Sequence, residues 1–237
     1  MPALIIAYLV SLIPAVIIYF WLKDHMYRQD TDYKVFCRTS LLQGIRSVLL
    51  VMLFSASFAL FGNIVLFKER TGLAYDAYRT FAVFAFSEET AKLLTFRKLL
   101  KQTETPCSAL DMICSMTLVG LGFEIIESVV YAFGTNPIQM LVRGITAMHA
   151  GYGFIMGWFY ARSILTGNKV WAVLGFVIPF LLHGAYDFGL SESFSNLLGE
   201  NYAFLSVSLA IFALVVLIWL FVFTAKARKN PVYTEPL

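Results

Sequence analysis

Charge is scarce in this chain: Asp, Glu, Lys and Arg make up 14% of its 237 residues, hydrophobic residues make up 59%, and the mean hydropathy is +0.74. Soluble domains carry about a quarter charged residues, so no separate soluble domain of ordinary size fits here. Cysteine is scarce as well. Cys37, Cys107 and Cys114 have neither the paired spacing of a zinc site nor the density of a disulfide framework, which leaves them as bystanders in a reduced environment. The chain has no HExxH pair, no internal repeat and no low-complexity tract. Its net charge of +3 does not point to nucleic acid, because Lys and Arg of membrane proteins gather in cytoplasmic loops.

What the chain has in quantity is apolar stretches close to the roughly 20 residues that cross a bilayer. Seven are expected to span: Ala3–Leu22, Ser47–Phe67, Tyr78–Leu99, Ala109–Phe133, Ile138–Ser163, Val170–Leu190 and Tyr202–Thr224. The fold class is therefore an all-α polytopic membrane helix bundle of about seven transmembrane helices, with residues 1–237 forming a single integral membrane domain. The first stretch lacks a basic leader and a small-residue cleavage site, so it reads as a retained span. Trp21, Trp158 and Trp171 lie near span ends and read as interface anchors. Orientation follows from Lys and Arg, which resist translocation. Thirteen of them, including Lys23, Arg38, Lys98, Lys169 and Arg228, fall on one side, and only Lys68, Arg70 and Arg79 on the other. The expected topology puts the N-terminus outside and the C-terminus in the cytoplasm, which requires an odd number of spans.

Spans one, two and seven are almost purely apolar, whereas the four between them carry Glu88, Glu89, Lys92, Glu124, Glu127, Arg143, His149, His183 and Asp187. An ionisable residue at the centre of a span costs about 2.5–3.5 kcal/mol on insertion scales, so these side chains are expected to face inward, paired or wet. Glu88 and Lys92 are four apart on one helical face, with the acid on the N-terminal side, and Glu89 points about 100° away, so the two acids are not expected to serve the same neighbour. His149, Gly153 and Gly157 repeat every four residues and put a histidine at the end of a small-residue contact ridge. His183 and Asp187 share a face one turn beyond Pro179, and Asp187 is placed to orient the imidazole. Glu124 reads as a supporting acid and Arg143 as an interfacial anchor or countercharge. Counted from the outer span ends, the acids and histidines fall roughly 10–16 Å deep, compatible with one shared polar cavity in the outer half of the membrane.

This set suits hydrolysis, in which a carboxylate takes a proton from water and a donor steadies the developing oxyanion. Adjacent carboxylates in different surroundings divide into proton donor and acceptor, a role open to Glu88 and Glu89. The same residues also offer a catalytic zinc shell, two histidines and a glutamate, for which Glu127, His149 and His183 are the candidates. No cofactor is required on the carboxylate reading, and spacing alone leaves both open. An ion-coupled transporter uses buried carboxylates and histidines too, but commonly shows inverted repeats. A catalytically silent immunity protein is a further alternative.

A family resemblance enters at these residues. Glu88-Glu89-Thr90-Ala91-Lys92 resembles the EExxK motif of PrsW-type intramembrane proteases, and residues 120–128, GLGFEIIES, resemble that family's GxGFxxxEN-like segment with Ser128 where Asn is usual. Arg143 followed by His149 and Gly157 is similar to its next motif, and His183-Gly184-Ala185-Tyr186-Asp187 to its HxxxN or HxxxD ending. The four motifs stand in the family's order and mark a protease-like core over about 79–190, flanked by two spans before it and one after. The resemblance implies the wider group that includes CAAX prenyl endopeptidases and Abi immunity proteins, whose members have also been described as metalloproteases. It implies that Glu88 and Glu89 are the base and its partner, that Glu127 is a second acid, and that His149 and His183 are oxyanion or water-binding groups. It implies a membrane-anchored protein substrate such as an anti-sigma factor, cleaved on the extracytoplasmic side. A CAAX-type activity would instead need a groove open to a lipid tail and a cytoplasmic-facing site.

Overall fold

The computed structural model describes residues 2–26, 31–102, 107–132 and 146–237, and the named elements among them are all helices. They are α1 (Pro2–Ser11), α2 (Ile13–His25), α3 (Thr31–Phe61) with a π-helical end at Gly62–Leu66, α4 (Leu73–Tyr78), a π-helical run at Arg79–Phe86, α5 (Ser87–Gln102) and α6 (Ala109–Ala132). After these come α7 (Met148–Thr166), α8 (Lys169–Gly189), α9 (Glu192–Leu198), the single turn Gly199–Asn201, α10 (Tyr202–Ala227) and α11 (Pro231–Thr234). The only strand-like pairing among the described residues is one antiparallel bridge, Ser108 to Pro236.

Among the described residues, four stretches are long and apolar enough to cross a membrane: Val35–Leu66, Ala109–Val130, Lys169–Gly189 and Val207–Ala227. The protein is thus an all-helical polytopic membrane protein. The stretches that fall short do so for a physical reason. α5 carries Glu88, Glu89 and Lys92, and α7 has small and polar residues buried from Met148 to Gly157, so both are fitted to protein neighbours instead of lipid. α1 and α2 nearly run on: at Leu12 the N–H still donates to Tyr8 O, and Val16 N–H donates to Leu12 O.

The structure moves two predicted boundaries. The segment up to Arg46, expected to be a polar connection before a span starting at Ser47, is helical from Thr31. Its polar residues Ser40, Gln43 and Ser47 are buried, and Ser40 Oγ lies 2.8 Å from Ser115 Oγ of α6, so the polarity faces a neighbouring helix. The fifth stretch, expected from Ile138, is described only from Thr146, and α7 begins at Met148. His149 therefore sits in the first turn of its helix, and the depth counted from Ile138 does not apply.

The centre of the bundle is α6, sandwiched between α3 and α7, with α8 packed on the far side of α7. Close approach is made possible by missing side chains: a Cβ on Gly120 would lie 2.1 Å from His149 O, and one on Gly153 only 2.6 Å from Met116 O. The buried core of Leu110, Ile113, Met116, Leu118, Leu121, Phe154 and Ile155 fills this contact. One end of the bundle is tied by the tail: Arg228 Nη1 donates to Asp24 O at 2.7 Å, and Leu237 N donates to Cys107 O at 3.2 Å. At the other end Ser193 N donates to Asp76 Oδ2 at 3.2 Å.

Candidate active site

Four elements deliver the acids and bases, with α6 contributing Glu124 and Glu127. α5 opens with Ser87-Glu88-Glu89, directly after the π-helical run, and all three are buried. π-helical turns are rare and frequent at functional sites, and this one sets the facing of the acids that follow it. α7 opens after Ala147, whose φ of 40° and ψ of 46° make it the one non-glycine residue with positive φ among those described. That left-handed kink costs on the order of 1–3 kcal/mol and turns the chain so that His149 enters the helix pointing at α5 and α6. α8 carries His183 one turn beyond Pro179, with Gly184 pressed against the Phe81 ring of the π-helical run.

The contacts among these groups are short and dense. Lys92 Nζ, fully buried, donates to Glu89 Oε1 at 2.8 Å and to His149 Nδ1 at 2.8 Å, and sits 4.2 Å from the centre of the Phe123 ring. With Nδ1 accepting, the other ring nitrogen of His149 carries the hydrogen, and Nε2 lies 2.5 Å from Glu127 Oε2. The His149 backbone N–H donates to Glu124 Oε2 at 2.9 Å. His183 lies between two carboxylates, Nδ1 at 2.9 Å from Glu89 Oε1 and Nε2 at 3.3 Å from Asp187 Oδ2. Glu88 is different. Its Oε2 is buried with no hydrogen-bond partner among the described residues, and three nitrogens surround it: Lys92 Nζ at 3.7 Å, His183 Nε2 at 3.8 Å and His149 Nδ1 at 3.9 Å.

Of the residues singled out from sequence, Glu88, Glu89, Lys92, Glu124, Glu127, His149, His183 and Asp187 thus meet in one cluster, and Arg143 lies outside the described residues. One expectation fails: Glu88 and Glu89 do serve the same neighbours. Lys92 stands at i+4 from one and i+3 from the other, both neighbour spacings on a helix, and the two nitrogens of His183 face one acid each. The candidate metal set changes too. Glu88, His149 and His183 bring one donor atom each within 4.8 Å of one another, whereas Glu127 lies on the far nitrogen of His149.

These side chains fit a zinc shell in donor type, since two imidazoles and a carboxylate form a common catalytic zinc set, and in having an orphaned buried oxygen, Glu88 Oε2, at their centre. Lys92 Nζ, 2.8 Å from His149 Nδ1, occupies one donor's lone pair and would have to swing away. Beside the cluster lies a cavity of about 20 Å³, room for a water molecule, lined among others by Glu124, His149, Tyr152, His183, Tyr186 and Asp187. Sequence reasoning missed the two tyrosines. Their signal is spacing, one at i+3 from each histidine.

The profile of the "PrsW family intramembrane metalloprotease" matches residues 34–223. The chain belongs to the PrsW family. That match runs from α3 into α10, well beyond the residues 79–190 that carry the motifs. Among curated relatives, the protease PrsW of Clostridioides difficile (strain 630) is 28% identical over 192 residues, 76% of this chain and 77% of that one. The protease PrsW of Bacillus subtilis (strain 168) is 29% identical over 182 residues, 75% and 78% of the two chains. That of Oceanobacillus iheyensis is 31% identical over 163 residues, 66% and 70%. No solved structure gives a significant match. As a PrsW family member the chain is an intramembrane peptidase embedded in the lipid bilayer, which sets aside the transporter and silent-immunity readings.

Proposed function

We propose that this protease hydrolyses a peptide bond of a membrane-tethered substrate, an anti-sigma factor being the type the resemblance suggests, with Glu88 as the base that activates water. The observation that carries the reading is the unpartnered Glu88 Oε2, held 3.7–3.9 Å from three nitrogens. That separation is too long for a direct hydrogen bond and leaves the oxygen free to accept a proton. Glu89 accepts from Lys92, contacts His183 and serves as the partner that holds both side chains in place. Glu127 and Glu124 fix the ring and backbone of His149, and Asp187 steadies His183.

In the step proposed, water oxygen attacks the scissile carbonyl carbon while its proton passes to Glu88, and the carbonyl electron pair moves onto oxygen. Collapse of the adduct re-forms the carbonyl, breaks the C–N bond, and returns the proton from Glu88 to the leaving amine. A bundle that excludes bulk water strengthens each of these electrostatic contacts. A second reading has support in the family description and in the compact triad: Glu88, His149 and His183 would hold a zinc ion, which when bound would acidify a water and polarise the carbonyl.

The seven-span topology belongs to this proposal. Contacts that pair Arg228 with Asp24 and Leu237 with Cys107 agree with a shared cytoplasmic end, and the Ser193–Asp76 contact agrees with an outer end. On that topology His183 lies roughly 9 Å from the outer end of α8 and Glu127 a similar distance from that of α6, favouring extracytoplasmic cleavage over a prenyl-protein endopeptidase site. The whole chain forms one integral membrane domain.

The test is cleavage of a panel of single-span membrane proteins co-reconstituted in liposomes with wild type, Glu88→Gln, Glu89→Gln and His149→Ala, with and without chelator. Loss in all three variants and indifference to chelator support the carboxylate route. Loss with chelator, restored by zinc, supports the metal route. Full activity in every variant refutes both.

A further inference from the structure

We propose that Tyr152 is a catalytic residue of this protease, donating the hydrogen bond that holds the oxyanion formed on the substrate carbonyl. The inference rests on the hydrolytic reading above. Tyr152 stands one turn after His149 in α7, is 1% exposed and lines the small cavity together with His149, His183, Glu124 and Asp187. Its hydroxyl has no hydrogen-bond partner among the described residues. A buried phenol normally finds one, and leaving it unpaired is unfavourable. The ring is held by the machinery itself: it stacks on His183 with centroids 5.1 Å apart and planes at 20°, and meets His149 edge-on at 6.0 Å.

The other donors of the cluster are spoken for. Lys92 Nζ is shared between Glu89 and His149, the His149 backbone N–H goes to Glu124, and its Nε2 faces Glu127. His183 faces Glu89 and Asp187. Thr146 and Tyr186, which also line the cavity, have interactions of their own. What remains around the cavity is Met148 and the carboxylates of Glu124 and Asp187, and carboxylates repel an oxyanion. A site so rich in acceptors needs a neutral donor aimed at the developing charge, and the Tyr152 hydroxyl is the one left to give. When water adds and the carbonyl pair moves onto oxygen, that hydroxyl donates to the oxyanion without transferring its proton. When the adduct collapses to acid and amine, it is released unchanged.

Tyr152→Phe removes one oxygen and keeps the ring stacked on His183. In liposomes, with a single-span substrate that the wild type cuts, kcat is expected to fall about 100-fold, as for loss of one oxyanion donor, with KM within about twofold and the thermal midpoint no lower than that of wild type. As a second measurement, a peptide aldehyde ending at the cleaved bond, whose hydrate mimics the tetrahedral adduct, should bind the variant far more weakly. The same substrate with its scissile amide reduced should bind both proteins equally. A kcat within threefold of wild type, or equal loss for both ligands, overturns the role of Tyr152. Glu88→Gln run in parallel separates the two ideas. If that variant is dead while Tyr152→Phe is active, only the tyrosine assignment fails, whereas a fully active Glu88→Gln removes Glu88 as the base and leaves Tyr152 to stand or fall on its own kcat.

Discussion

Asp111, at the foot of α6, and Glu88, at the head of α5, are both acids sealed from solvent inside one bundle. Asp111 Oδ2 accepts from Ser108 N at 3.0 Å and Ser108 Oγ at 2.8 Å, while Ser108 Oγ accepts from Asp111 N at 3.1 Å. That is a reciprocal helix cap, and it satisfies backbone groups that the first turn would leave bare. Glu88 Oε2 closes no such loop and stands among three nitrogens just out of hydrogen-bond range. Burial of an acid is therefore a poor marker of chemistry in this molecule. The marker is the convergence of three nitrogens, from α5, α7 and α8, on one buried oxygen.

The contrast is broken most directly by paired substitutions. Glu88→Gln should lower cleavage on the order of 10³-fold, the scale of losing a positioned general base. Asp111→Asn should leave cleavage within about threefold and cost about 1 kcal/mol of unfolding free energy, the scale of a lost cap. Equal loss of activity in the two variants would erase the distinction. Lys92→Met probes the committed acid instead. It strands the Glu89 charge in the interior, which should destabilise by about 3–5 kcal/mol, and adding Glu89→Gln should recover part of that loss in a denaturant titration in detergent. Gly120→Ala sharpens the comparison from the packing side. Its methyl group would meet the carbonyl of His149 at 2.1 Å, so about 1–3 kcal/mol of stability should go, together with activity, because the displaced turn carries the histidine. Smallest is Ala147→Gly, expected to shift stability by less than about 1 kcal/mol toward the folded state by accommodating the positive φ.

Much of the cluster was legible because intramembrane charge is expensive and helical spacing is regular. Glu88 with Lys92, the His149-Gly153-Gly157 ridge, and His183 with Asp187 each follow from a period and a cost. The start of α3 was not legible. Hydropathy reports contact with lipid, and a helix that turns Ser40, Gln43 and Ser47 toward a protein neighbour looks like a polar connection. The kink at Ala147 left no trace either, since nothing in an alanine announces a left-handed backbone. The shared neighbours of Glu88 and Glu89 escaped because angular arithmetic treats side chains as short spokes, and lysine is long enough to reach two of them. Tyr152 was hidden among the many aromatics of a membrane protein, where one more ring carries little information.

The π-helical run at Arg79–Phe86 has a consequence for how relatives are compared. Each wide turn holds an additional residue, and one residue more or fewer rotates everything downstream by about 100°. A single-position gap in that stretch is thus a change of heading for the pair of acids that follows, so a deletion of Ala82 should disable the protein more thoroughly than an equal deletion in a surface loop.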